Sequence, residues 1–147
     1  MDINAFIEAI GQCELKGDKI VIGSEKIHDA LLFIKNNFTY KMLKSITAID
    51  LGKEIELIYN LYSIENEETV LISITVQQDA ISVTDIFSSA IADENEIYDL
   101  FGINFSGNKD LKRLYMPKNW DGYPLKKDYI QDDTRLVWND DNNNDYT

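Results

Sequence analysis

The sequence holds one cysteine, Cys13, and one histidine, His28, in 147 residues. One cysteine cannot close an internal disulfide, and its scarcity agrees with a reducing compartment. Nor can it supply the thiolates of an iron–sulfur cluster, or, with a single histidine, the ligands of a zinc site. Little room is left for Ser-His-Asp or Cys-His catalysis, and His28 reads as a surface or boundary side chain. There is no GxGxxG, no Walker-type phosphate loop and no nucleophile elbow. No apolar run approaches the ~18 residues of a membrane-spanning helix. The start, Met1-Asp2-Ile3-Asn4, is acidic and polar, unlike a signal peptide. The expectation is a cytoplasmic protein that reaches a membrane only through another subunit.

Basic residues are also few. Lysine and arginine number 14 against 26 acids, a formal charge of −12. Such a chain repels a phosphate backbone, so nucleic acid is not an expected partner. The sign is uneven, however. Between Lys109 and Asp128 six basic residues face three acids, a net of +3 that leaves −15 on the rest. A solvated loop would explain that stretch; the sharper reading is a docking surface.

The hydrophobic share of 44% allows one modest core. Phe6, Ile7, Ile10 and Cys13 recur at helical spacing and predict a helix over 3–13, with Asp2 or Asn4 as N-cap. Lys19 to Gly23 predicts a strand. Ser24 is placed to cap a helix to Asn36 whose apolar stripe is Ile27, Leu31, Ile34 and Phe38. Residues 45–51 predict another strand. In 54–62 Ile55, Leu57, Tyr59 and Leu61 alternate with polar positions, and in 69–76 Val70, Ile72, Ile74 and Val76 do the same. Two one-sided strands across a polar loop predict an antiparallel hairpin, with the N-terminal helices as cover. Ser82 and Asp85 have capping-box spacing for a further helical part. Residues 90–101 predict a helix, and Gly102 stands where a left-handed cap belongs. The fold class expected is α+β: a two-layer domain, mainly antiparallel sheet covered by helices, with an extended C-terminal arm.

The arm is the stretch after Gly102. It carries Gly107, Pro117, Gly122 and Pro124 with Phe105, Tyr115, Trp120, Tyr123 and Tyr129. It has too many aromatics for a disordered segment and is too irregular for one long element. The expected division is 1–102 for the domain, 103–135 for the arm and 136–147 for an acidic, disordered tail. That tail lacks the central glycine and the twelfth-position Glu of a calcium loop.

Three carboxylates stand apart: Glu94, Glu96 and Asp99. Glu96 and Asp99 are three apart, which puts both on one helical face. They read as a solvated acidic helix start, as an acid–base pair, as partial ligands for a hard cation, or as anchors holding the basic arm through Arg113 or Lys112. The anchoring reading is the one favoured.

Residues 94–128, ENEIYDLFGINFSGNKDLKRLYMPKNWDGYPLKKD, resemble the signature of the thirty-kilodalton subunit of respiratory complex I, the C subunit of bacterial NADH–quinone oxidoreductase. The matching positions are Glu94, Glu96, Asp99, Phe101, Gly102 and Ile103. Then come Phe105, Gly107, Asp110, Leu111 and Arg113, and at the end Trp120, Gly122, Pro124, Leu125, Lys127 and Asp128. Upstream, Thr47 to Asp50, Tyr59 to Tyr62 and Ser82 to Ile86 are similar too. The departures are Asn95 for Arg, Asn108-Lys109 for His-Pro, Tyr123 for a second His and Lys126 for Arg. These, with the short chain, are similar to the divergent homologues in Ech-type energy-converting membrane-bound [NiFe] hydrogenases.

The resemblance implies a scaffold subunit with no catalytic residue and no cofactor or metal of its own. The [NiFe] centre and iron–sulfur clusters are expected in partner subunits. The implied partners are the large subunit of the hydrogenase or complex I and the iron–sulfur relay subunits, at the cytoplasmic face of the membrane. The alternative is the corresponding thirty-kilodalton subunit of an NADH- or ferredoxin-linked quinone oxidoreductase (NADH dehydrogenase). The docking residues implied are Glu94, Glu96, Asp99, Phe105, Arg113, Trp120, Tyr123, Pro124, Lys126, Lys127 and Asp128. Phe105, Trp120 and Tyr123 are the expected anchors, with Arg113, Lys126 and Lys127 as clamps.

Overall fold

Alternation in the middle of the chain builds the scaffold. In β4 (Ile55–Ser63) every odd-numbered residue from Ile55 to Ser63 is buried and every even one half-buried. Its neighbour β5 (Glu68–Val76) pairs antiparallel with it, Leu57 opposite Ile74 and Tyr59 opposite Ile72. On the other side β3 (Met42–Asp50) is also antiparallel, Ile46 opposite Tyr59, with a register shift between Leu43 and Ser45. A computed structural model describes residues 3–130, and every structural statement concerns these residues.

The sheet has five strands in the order β1-β2-β5-β4-β3. β1 (Cys13–Lys16) and β2 (Lys19–Ile22) form a hairpin, and β2 runs parallel to β5, Ile20 opposite Ile72. That parallel pair is the sheet's exception. It needs a long crossover, which α2 (Ile27–Asn37) opens. Phe6 and Ile10 of α1 (Ile3–Ile10) and Ile27, Ala30, Leu31 and Ile34 of α2 share one hydrophobic core with Leu57, Tyr59, Leu61, Ile72 and Ile74. The two-layer α+β architecture expected from the pattern is the one found.

Four local expectations are corrected. Cys13 is not on the first helix. Gly11 at φ 89° ends α1, and Cys13 opens β1 opposite Ile22. Asn4 lies inside α1 rather than capping it, and Asp2 falls outside the described residues. Ser24 starts a short 3₁₀ turn, Ser24–Lys26, with no side-chain cap bond, and α2 begins at Ile27. Ser82 does not open a helix. Its N–H donates to Ser106 O at 2.9 Å, just past β6 (Asp79–Ile81), and its hydroxyl is taken by Glu94. The hydroxyl donates to the buried Glu94 carboxylate and accepts the Thr84 N–H at 3.3 Å, so it closes a local turn beside a buried acid and caps no helix.

The helix α3 (Ala90–Phe101) has the predicted bounds and ends on Gly102 at φ 77°, whose N–H donates to Tyr98 O at 3.0 Å. It packs on the outer edge of the sheet. Ile46 N–H in β3 donates to Asp93 Oδ2 at 2.8 Å, and Ser89 Oγ donates to Leu43 O at 3.3 Å. Two outward backbone groups of an edge strand are thereby satisfied, which blunts it against unwanted pairing. After Gly102, Ile103 and Phe105 are each 1% exposed, and β7 (Asn104–Ser106) runs parallel to β6. The expected boundary at residue 102 thus stands just before two core side chains. The end of the expected arm, 131–135, and the expected tail, 136–147, lie outside the described residues.

Candidate docking site

The site is the surface of the arm from Asn108 to Ile130, together with the buried groups that hold it. Those groups come from the inner face of α3. Glu94, Asn95 and Asp99 are 0%, 2% and 0% exposed. Burial of that kind is unusual for such residues unless they are paired.

Each of the three receives a donor from the arm. Glu94 accepts from Ser82 Oγ at 2.9 Å, Val83 N–H at 2.8 Å and Asn108 Nδ2 at 2.9 Å. Asn95 Oδ1 accepts the Lys112 N–H at 3.0 Å. Asp99 does most. Its Oδ2 accepts the successive N–H groups of Leu114 (3.0 Å), Tyr115 (2.7 Å) and Met116 (2.9 Å), while Oδ1 takes Arg113 Nη1 at 3.0 Å. One carboxylate thereby folds residues 113–116 around itself.

The charges respond. Burial pushes the Glu94 carboxyl above its ordinary value, and the three donors offset it only in part. Burial acts on Asp99 the same way, but the Met116, Tyr115 and Leu114 N–H groups with the Arg113 guanidinium outweigh it and hold its carboxyl low. Asp99 collects three backbone N–H groups and the Arg113 guanidinium, whereas Glu94 has one backbone N–H and two neutral side-chain donors, with the Asp85 charge adding to the rise.

The rest of the arm is fastened by its backbone. Leu125 N–H donates to Leu100 O at 3.0 Å. Asp50, at the end of β3 and 7% exposed, accepts Lys127 N–H at 2.7 Å and Gly52 N–H at 2.6 Å. Those N–H groups, Lys127 first, hold the Asp50 carboxyl below its ordinary value. Arg113 also donates to Gly122 O at 3.2 Å and lies 5.2 Å from the centre of the Tyr123 ring, a cation–π distance. Tyr123 covers Gly102, where a Cβ would fall 2.6 Å from the ring.

The expected site residues therefore divide. Glu94, Asp99 and Arg113 join in holding the arm. Glu96 does not sit with Asp99; it is exposed, and Tyr115 OH reaches it at 3.4 Å. Phe105 is buried in this chain's own core. Trp120, Tyr123 and Pro124 are half-buried along the arm. Lys127 and Asp128 are exposed, and Lys126 Nζ stands 3.7 Å from Asp128 Oδ2. Asp50, Asn95 and Asn108 are not singled out for this role by the sequence. Asp50 carries a usable signal: it continues the Ile46, Ala48 period of two onto the covered face. Asn95 and Asn108 draw notice only as departures from a pattern.

The two buried carboxylates of α3 are both enclosed. Asp99 is locked by four donors, and Glu94 faces no solvent. Among the described residues no group of three or more His, Cys, Asp or Glu side chains could hold a metal ion. His28 lies elsewhere, its Nε2 2.8 Å from Asp85 Oδ2. No helix among the described residues is long and apolar enough to cross a membrane.

Residues 20–135 match the family model described as the respiratory-chain NADH dehydrogenase 30 Kd subunit. The chain belongs to this family. The NADH-quinone oxidoreductase C subunit of Geobacter sulfurreducens is 36% identical over 124 residues, covering 79% of this chain and 76% of that protein. The fused C/D subunit of the NADH-quinone oxidoreductase of Phocaeicola vulgatus is 34% identical over 117 residues, 76% of this chain, but the chain spans only 22% of that protein's length. Among solved structures, a chain of the membrane-bound sulfane sulfur reductase, an archaeal respiratory membrane complex, superposes with a TM-score of 0.76. It is 22% identical, and the match covers 88% of this chain and 84% of that one. At that identity the likeness establishes the fold. The family match takes in both the domain and the arm, and in this member the arm is held by Glu94, Asn95, Asp99 and Asp50.

Proposed function

We propose that this chain is a scaffold subunit of a complex I-like membrane oxidoreductase, and that its arm docks on the large redox subunit. One observation carries the reading. The arm's backbone is satisfied from within by buried acids, while a basic, partly apolar set of its side chains is left outward. An element built in this way presents a surface; it does not present a reaction site. Obligate contacts of this kind commonly bury more than ~2,000 Å². The donor set supports the same division of labour. A lone cysteine cannot hold an iron–sulfur cluster or a nickel–iron centre, so the redox groups belong to partner subunits. The chain then reaches the cytoplasmic face of the membrane through those partners.

Within that reading the assembly proposed is an energy-converting [NiFe] hydrogenase, supported by the departures at Asn95, Asn108, Lys109, Tyr123 and Lys126. The names of the relatives favour a second reading, the thirty-kilodalton subunit of a quinone oxidoreductase. The deciding experiment is affinity purification of the tagged chain from native membranes, with its partners identified and nickel and iron assayed. Nickel with hydrogen-dependent turnover supports the hydrogenase. A nickel-free complex that reduces quinone supports the other. Recovery of the chain without any redox subunit rejects both.

A further inference from the structure

Two of the residues that Asp99 gathers, Leu114 and Tyr115, are held by their backbone and exposed. Leu114 and Tyr115 donate their N–H groups to Asp99 Oδ2, yet their residues are 44% and 63% exposed. An exposed apolar residue ordinarily costs little and means little. Two adjacent ones on a turn clamped at the N–H groups of 114, 115 and 116 are different, because rigid presentation lowers the ordering cost of association. Near them in sequence are Lys109, Lys112 and Lys118, all exposed. Among the described residues, neither lysine ammonium that flanks the turn, Lys112 or Lys118, has an ion pair within 4 Å. The aromatic residues that looked like anchors are placed otherwise: Phe105 is in the core, and Tyr123 is sandwiched between Gly102 and Arg113.

From this geometry we infer that Leu114 and Tyr115 form a preformed docking knob, and that it fits an apolar socket with an acidic rim on the partner's large subunit. The inference rests on the proposed docking role and deepens it. The occupant follows from charge. The knob lies in a stretch of net +3, so its complement is acidic. Two copies of this chain, each with a net charge of −12, repel one another at long range. Tyrosine suits the role, since it offers a large, stiff, amphipathic contact at small entropic cost. The lysines steer the approach, and their effect is screened by salt.

The test uses the full-length tagged chain expressed in its native host and purified from membranes. Leu114→Ser with Tyr115→Ser keeps every backbone donor to Asp99, so the turn stays formed. Recovery of the large subunit with this variant is expected to fall at least tenfold relative to the parent. Leu15→Ser, at a 63% exposed position on β1, is the control and should recover it fully. Lys112→Glu with Lys118→Glu should lower recovery in low salt and remove most of the parent's salt dependence. Hydrogen exchange on the purified Leu114/Tyr115 variant should show amides 114–116 still protected. Undiminished recovery with the Leu114/Tyr115 variant overturns the knob while leaving the docking role intact. So does fast exchange of amides 114–116 in the parent. Recovery of a second copy in place of a redox subunit overturns both.

Discussion

Lys127 N–H meets Asp50 Oδ2 at 2.7 Å across 77 positions of sequence. This bond ties the far end of the arm to the last residue of β3, so arm and sheet edge order together. Asp50→Ala removes the acceptor for both Lys127 and Gly52. Amide exchange at Lys127 and its neighbours should then rise sharply, while exchange in β4 and β5 stays as slow as before. Unchanged exchange at Lys127 would show that the arm is held without this bond.

Arg113→Met leaves the Asp99 carboxylate with its three N–H donors but without a cation. Uncoupling a fully buried carboxylate from one charged partner typically costs about 1–3 kcal/mol, and a urea melt should register a loss of that size. The sign with pH follows from Asp99. Its carboxyl is held low in the fold. Its contribution is therefore complete above the unfolded value of about 3.9 and is lost as pH falls through the folded one. In Arg113→Met, whose folded Asp99 lacks the cation that lowers it, that loss should be smaller and should finish at higher pH than in the parent.

Glu94 has the opposite sign. Its carboxyl is raised by burial, so the folded state keeps its proton after the unfolded chain has ionised. Stability from this group therefore declines as pH rises from about 4.3 through the folded value. Glu94→Gln cannot ionise. Its stability relative to the parent should improve as pH rises from about 4.3 through the folded value of the parent's Glu94 and level off above it, whatever constant offset the amide brings. Parallel stability curves for the two proteins would rule out a titrating Glu94.

Tyr59 is fully buried at the centre of the core, and among the described residues its hydroxyl has no hydrogen-bond partner. Burial, with the charge of Glu94, pushes its ionisation far upward. Removing an unsatisfied hydroxyl at constant shape is close to neutral or stabilising. Tyr59→Phe should therefore shift the urea midpoint upward, by up to about 1–2 kcal/mol in stability. A loss above about 1 kcal/mol would mean that the hydroxyl is bonded in solution.

Gly102→Ala tests the joint between helix and arm. Gly102 has left-handed backbone at φ 77°. That conformation costs a side-chain-bearing residue about 1–2 kcal/mol. The new Cβ would also fall 2.6 Å from the Tyr123 ring and displace it from its seat. The melting temperature should drop, and the Tyr123 ring signals should shift in NMR spectra. Their staying in place would argue against the packing described.

The sheet is legible in the sequence because its signal is local. Ile55, Leu57, Tyr59 and Leu61 repeat every second residue, and only a half-covered strand turns that pattern into burial. The bounds of α3 are legible for a similar reason, since its apolar spacing stops at a glycine suited to the left-handed cap. Cys13 is misplaced because its apolar character fits a helix and a strand equally, and the Gly11 turn decides between them. Ser82 is misread because its true partner, Glu94, lies 12 residues away in sequence and becomes a neighbour only when α3 docks.

Spacing and residue identity along the chain were enough to specify β2 to β5 but not the short strands β1, β6 and β7, together with the bounds of α3, the segregation of charge and the family signature over 94–128. Folding had to supply the rest: which arm residues face inward, that Asp99 collects three consecutive N–H groups, and that Leu114 and Tyr115 are left outside. Those outcomes depend on groups that meet only in the packed chain. A buried carboxylate takes whichever donors packing brings within hydrogen-bonding reach, and sequence order does not say which.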